Sequence, residues 1–139
     1  MDFHFELRSR VELRDLDALG HVYHVNYLVF FENVRTAFWF EVTGQQGLEA
    51  LDFVMATVTC NYHAPVYMGE EVSSRLRVDR VGSKSLTLAY EVFSHSQDRL
   101  VADGTSVQVA YDYSTRQSKV LSDPLKERLL AYSRPSARK

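Results

Sequence analysis

A single cysteine, Cys60, occurs in the 139 residues, so an internal disulfide and a cysteine-based zinc site are both excluded. Proline and glycine are scarce at three and six residues, and no repeat, low-complexity segment or linker interrupts the chain. Charge of one sign is missing too. With 16 Lys and Arg against 18 Asp and Glu the formal net charge is −2, and without any basic run nucleic acid is not an expected partner. No stretch approaches the ~18 apolar residues that span a bilayer, and Met1 to Arg8 lacks a basic n-region followed by an apolar run. No membrane partner is therefore expected, and the expected location is the cytoplasm. The glycine-rich loops that cradle phosphates or dinucleotides are absent, as is a Gly-x-Ser-x-Gly nucleophile turn. What is present is core material: 45% hydrophobic and 12% aromatic residues suffice for one globular domain, expected over 1–133 with a frayed tail at 134–139.

From Phe3 to Leu13 apolar residues fall on odd positions and charged ones on even positions, the period-2 pattern of a half-buried strand. Tyr27, Phe30, Phe31, Val34, Ala37, Phe38 and Glu41 then follow helical spacing, with Gly44 as the stop. Leu28, Val29, Trp39 and Phe40 make this helix apolar around most of its circumference, so something must wrap it. Alternating runs at Val54–Tyr62, Val72–Val78, Leu86–Val92 and Leu100–Tyr113 supply the wrapper, with Cys60 packed as a small hydrophobe. In the last run the apolar parity changes from even (Leu100, Ala102) to odd (Val107, Val109, Tyr111), which predicts a bulge at Asp103-Gly104. Val81–Lys84 and His95–Asp98 read as hairpin connections. Ser122-Asp123-Pro124 opens a short C-terminal helix with Pro124 at its first position. The expected fold is α+β, a hotdog: a long central helix wrapped by a five-stranded antiparallel sheet.

The most informative segment is Asp15-Leu-Asp17-Ala-Leu-Gly20-His21-Val-Tyr-His24-Val-Asn26-Tyr27, which sets carboxylates and imidazoles in a tight turn at a helix start. A helix N-terminus offers unpaired N–H groups and a positive dipole end, so it can hold an oxyanion while a nearby carboxylate attacks or activates water. The plainer alternative is that Asp15 and Asp17 shape the turn and cap the helix.

In register, Arg14 to Arg35 resembles the signature of 4-hydroxybenzoyl-CoA thioesterase-like hotdog proteins, including the YbgC-type acyl-CoA thioesterases. The resemblance implies an acyl-CoA thioesterase needing no cofactor, assembled as a homodimer or homotetramer. It implies Asp17 as the catalytic carboxylate, acting as nucleophile or general base, a backbone N–H at His24 as oxyanion donor, and an assisting role for the His24 ring. Leu13 stands where YbgC-like members often carry tyrosine, and His21 where they usually carry an apolar residue. Arg80 and Lys84 are what remains of the family's basic cluster for the CoA phosphates. An acyl pocket bounded by the motif turn, Tyr27 and Met55 offers aromatic and thioether surface and no evident cation, so apolar acyl groups are expected. Hydrolysis of acyl-carrier-protein thioesters and a non-catalytic acyl-CoA-binding module are the alternatives.

Asp17, His21 and His24 can be drawn as a metal triad, but the motif explains each without metal, and none is expected. His63 reads as an exposed or interface strand residue, and His4 and His95 as surface. Glu32 and Arg35, three apart on the helix, are expected to pair. The few residues ahead of the first strand leave no room for a DNA-binding segment, as a ligand-sensing regulator would carry.

Overall fold

The computed structural model describes residues 5–133; the expectations for Phe3, His4 and the tail 134–139 lie outside that range. The described elements are β1 (Phe5–Arg10), α1 (Asn26–Thr43), β2 (Phe53–Tyr62), β3 (Glu71–Val81), β4 (Ser85–Ser94), β5 (Arg99–Asp112), β6 (Gln117–Ser118) and α2 (Asp123–Leu130). Short 3-10 turns cover Leu13–Asp15 and Leu48–Ala50. The main strands pair antiparallel in the order β1-β3-β4-β5-β2, and two-residue β6 adds to β5. This is the α+β hotdog arrangement, with α1 lying in the curl of the sheet.

Helix α1 buries Phe31, Val34, Phe38 and Trp39 against Leu76, Val78, Leu88, Tyr90 and Val92 of β3 and β4. Each such side chain contributes roughly 1.5–3 kcal/mol on leaving water, so this face fixes the orientation of the helix. Its end is where the sequence puts it: Gly44 is left-handed at φ 70° and its N–H closes on the Phe40 carbonyl. Trp39 Nε1 donates to the Ala50 carbonyl at 2.6 Å and pins the following loop. At α2, Ser122 is the N-cap and accepts from Leu125 N, which moves Pro124 to the second helical position, one later than expected. Among the described residues no helix is long and apolar enough to cross a membrane.

Three expectations fail in instructive ways. β1 ends at Arg10, and Leu13 is 73% exposed in the 3-10 turn, because the chain there bends toward the motif. The bulge is not at Asp103-Gly104. Val101 is the extra residue on β5, and the buried face of that strand stays even through Ala102, Gly104, Ser106, Gln108 and Ala110. The apolar odd residues Val107, Val109 and Tyr111 lie on the opposite face. On β2, Ala56 is a second unopposed residue, so Phe53 and Met55 share a face with Val58, Cys60 and Tyr62, and Val54 does not.

Candidate active site

The motif folds as a closed hairpin. Leu16 bridges Val22, Asp17 N donates to His21 O at 3.2 Å, and Gly20 N returns to Asp17 O at 3.1 Å. Gly20 takes φ 87°, a conformation that side-chain-bearing residues rarely adopt. Val22 is 1% exposed and its N–H bonds Val66 O at 2.8 Å, anchoring the hairpin to the segment after β2.

The two aspartates part company within this frame. Asp15 is structural: its Oδ2 accepts from Glu12 N at 2.8 Å, and its carbonyl takes both Tyr23 N and Asn26 Nδ2 at 2.9 Å. Asp17 is half-buried, and its Oδ1 accepts from Leu19 N at 2.8 Å. Among the described residues its Oδ2 has no protein donor. Neither carboxylate caps α1, whose N-cap is Val25 without any side-chain bond. The helix starts with 3-10-type bonds from Asn26 N to Tyr23 O, Tyr27 N to His24 O and Leu28 N to Val25 O. Among the described residues the N–H of His24 donates to no protein acceptor, so one donor at the positive helix end is unspent.

Tyr62, the last residue of β2, bolts the sheet to this start: its hydroxyl donates to His24 O at 2.8 Å and its ring meets Tyr27 edge-on at 5.2 Å. Tyr27 is buried, and burial pushes its phenol up to about 12, so it stays neutral at physiological pH. A cleft of about 360 Å³ opens here, lined by His21, His24, Tyr27, Tyr62, His63 and Pro65 among others. His63 Nε2 lies 3.1 Å from Asp103 Oδ2, and Asn61 Nδ2 donates to the other oxygen of that carboxylate at 3.0 Å. Strand alternation missed His63 as a cleft residue because β2 ends at Tyr62 and alternation ends with it. His95 is half-buried rather than on the surface, 2.7 Å from Ser73 Oγ.

The single acyl pocket expected around Tyr27 and Met55 is divided. Met55 lines a separate groove of about 290 Å³ with Val25, Leu28, Val29, Glu32, Arg35 and Val58. The Glu32–Arg35 pair does not form. Arg35 turns inward, is 8% exposed and donates to Tyr90 OH at 3.2 Å, whereas Glu32 stays exposed. Packing against the sheet wins over a surface pair worth only ~0.2–0.5 kcal/mol.

Arg80 and Lys84 are exposed at the β3–β4 hairpin, which the structure does not bring to the cleft within one chain. Lys84 O receives Ala110 N, and Ala110 pairs with Phe53, whereas Tyr62 pairs with Ala102. The hairpin and the cleft are thus separated by most of β5, ~27 Å at ~3.4 Å per residue. Among the described residues no group of three or more His, Cys, Asp or Glu side chains converges on a point that would hold a metal ion.

Comparison with known proteins agrees with this layout. Residues 11–129 match the family described as the thioesterase-like superfamily. Acyl-CoA thioesterase YbgC of Helicobacter pylori (strain 26695) is 28% identical over 87 residues, 63% of this chain and 65% of that protein, so the match spans just under two thirds of that relative's length. Acyl-CoA thioester hydrolase YbgC of Escherichia coli O6:H1 is 27% identical over 111 residues, 78% of this chain and 82% of that one. The solved structure of a thioesterase complexed with coenzyme A and Zn from Thermus thermophilus superposes with a TM-score of 0.81 at 28% identity, covering 94% of this chain and 95% of the other. With a sheet-wrapped helix, the motif hairpin at its start and a family match running from the end of β1 into α2, the chain belongs to the thioesterase-like superfamily.

Proposed function

We propose that this chain hydrolyses acyl-CoA thioesters, with Asp17 as the carboxylate that activates water or attacks the carbonyl directly. The observation that carries this reading is the Asp17 carboxylate itself: Oδ1 is committed to Leu19 N, Oδ2 has no protein donor among the described residues, and the Asp17 backbone is hydrogen-bonded to His21, which lines the cleft. As a base, Oδ2 takes a proton from water while the water oxygen bonds to the thioester carbon. The carbonyl oxygen then gains charge that the His24 N–H and the helix dipole stabilise. Collapse breaks the C–S bond and releases the CoA thiolate. In the nucleophilic variant Oδ2 forms a mixed anhydride that water then cleaves. The His24 ring, at the cleft mouth, assists by orienting the thioester.

The assembly is a homodimer formed through β2. This strand is a sheet edge with Met55, Val58 and Tyr62 exposed, a surface that seeks a partner. Antiparallel pairing of two β2 strands about a two-fold axis sets the partner's Phe53 end beside this chain's Tyr62 end. Each cleft is then served by the Lys84 hairpin of the other subunit, with Arg80 and Lys84 for the CoA phosphates. The coenzyme A held by the Thermus thermophilus relative supports CoA as the carrier here.

A panel of acyl-CoA thioesters from acetyl to octanoyl, followed by thiol release, tests the reading. The expected result is kcat/KM rising with chain length, since each buried methylene contributes ~0.8 kcal/mol. Asp17→Asn keeps the Leu19 bond yet lowers turnover at least ~100-fold, whereas Asp15→Asn costs far less. Turnover by Asp17→Asn within a few-fold of the parent, or no hydrolysis of any thioester despite tight binding, sinks the assignment in favour of another carboxylate or a binding module.

A further inference from the structure

We propose that the groove between α1 and β2 takes the terminal carboxylate of a dicarboxylic acyl chain, with Arg35 as its counter-ion; this rests on the thioesterase reading above. Arg35 lines the groove and is 8% exposed, yet among the described residues its one hydrogen bond is to the Tyr90 hydroxyl and it makes no ion pair. A guanidinium withdrawn from water without an anion is a costly arrangement, tolerated where a ligand completes it.

The polar groups behind it point the same way. Tyr90 OH accepts from Arg35 and lies 2.5 Å from Ser106 Oγ, so its own proton goes to Ser106. Ser106 in turn meets the Gln108 amide, whose Nε2 also touches Met55 Sδ at 3.4 Å while its Oε1 is buried without a partner. Turning that amide by half a rotation lets Ser106 donate to Oε1, the better match for an acceptor, and leaves Nε2 unspent. Every hydroxyl proton is then used, in one direction, from Arg35 through Tyr90 and Ser106 to Gln108. What faces the groove, besides the exposed Glu32 carboxylate, is the Arg35 guanidinium, whose remaining N–H groups have no acceptor among the described residues. Donors without acceptors select an anion, and a carboxylate matches the guanidinium fork two-to-two.

The walls set the rest of the ligand. Val25, next in sequence to the cleft residue His24, opens the groove, and with Leu28, Val29, Met55 and Val58 it gives an alkyl chain that leaves the cleft past Val25 apolar walls toward the charge. Arg35 lies three turns past His24, ~16 Å at ~1.5 Å per residue, which suits a medium-length acyl chain whose carbonyl sits at the His24 N–H. Glu32, exposed on the same face, disfavours a second negative charge nearer the mouth.

The test compares octanoyl-CoA with suberyl-CoA, the same chain length with and without the far carboxylate. Suberyl-CoA is expected to have the higher kcat/KM by at least ~tenfold, because a methyl end leaves the buried donors unpaired. Arg35→Gln brings the ratio near one, and Arg35→Lys, which keeps the charge and loses the fork, leaves it in between. Binding of the matching non-hydrolysable S-alkyl and S-(ω-carboxyalkyl) thioethers of CoA is measured by calorimetry alongside. If no thioester is cleaved but the carboxylated thioether binds at least ~tenfold tighter, the subsite stands and the thioesterase reading falls. Cleavage of both thioesters by the parent protein at a ratio near one overturns the subsite. The same result with a dimer weakened by Arg35→Gln gives the guanidinium to a carboxylate of the neighbouring subunit instead. Should Arg35→Gln fail to fold, the parent ratio and the lysine variant still decide.

Discussion

Replacing Gly104 with alanine tests how tightly the helix is pressed into the sheet. A Cβ at this position would sit 2.0 Å from the Thr59 carbonyl oxygen on β2 and 2.9 Å from a ring carbon of Phe31 on α1. Neither neighbour can retreat easily. Thr59 is held in the β2–β5 ladder, and Phe31 is fully buried and stacked on Tyr90 with centroids 4.4 Å apart. Overpacking of a well-filled core costs ~1–3 kcal/mol, and displacing β2 weakens a ladder bond or two at ~1 kcal/mol each. The sum is about 2–5 kcal/mol. For a chain of this length the unfolding entropy is ~0.3 kcal/mol per kelvin, so Tm should fall by ~7–17 °C in a thermal scan followed by circular dichroism. Gly82→Ala is the control, because its Cβ would meet the Ser85 hydroxyl at 2.9 Å, a small side chain that can rotate away. It should cost less than ~1 kcal/mol, or ~3 °C. A Gly104→Ala protein melting within ~3 °C of the parent would refute the argument, since it would mean that β2 and Phe31 are not locked against each other.

Two further outcomes concern assembly and carrier recognition. Light scattering at micromolar concentration should report at least twice the 16.0 kDa chain mass, and Val58→Arg on the β2 edge should halve it; a parent monomer contradicts the shared-site arrangement. Lys84→Ala should raise KM for CoA thioesters by about 3- to 10-fold and leave the matching pantetheine thioesters nearly untouched, as expected for a single partly solvated phosphate contact. Equal losses on both carriers would remove Lys84 from the site.

The helix and the two central hairpin strands were legible because their physics is local. Tyr27 to Val42 repeats at helical spacing and Gly44 supplies the left-handed stop, while β3 as far as Val78 and β4 pair in register across one short hairpin. The face of β5 was not legible, since reading it assumes that the inner residues are the apolar ones. Ser106 and Gln108 point inward because a charged side chain from α1, Arg35, needs company there, and that requirement is invisible until helix and sheet are placed together. The bulged positions Ala56, Asp79 and Val101 carry no glycine or proline to mark them. At the site, the spacing of the motif left Asp15 and Asp17 alike and only the family resemblance pointed to Asp17; their separate duties are written in which backbone groups each one binds. Nor does any local pattern show that Tyr62 holds the His24 carbonyl, thirty-eight residues away.

That long-range bond also dictates when the site comes into being during synthesis. The motif occupies the first quarter of the chain and leaves the ribosome early, but its hairpin is tied to Val66 and its helix start to Tyr62. β2, which carries Tyr62, pairs only with β5 among the described strands. The motif turn therefore has no fixed shape until residues beyond Ala110 have emerged and the last long strand has docked. On the proposed function, a nascent chain that holds the whole motif but lacks β5 should be inert toward thioesters.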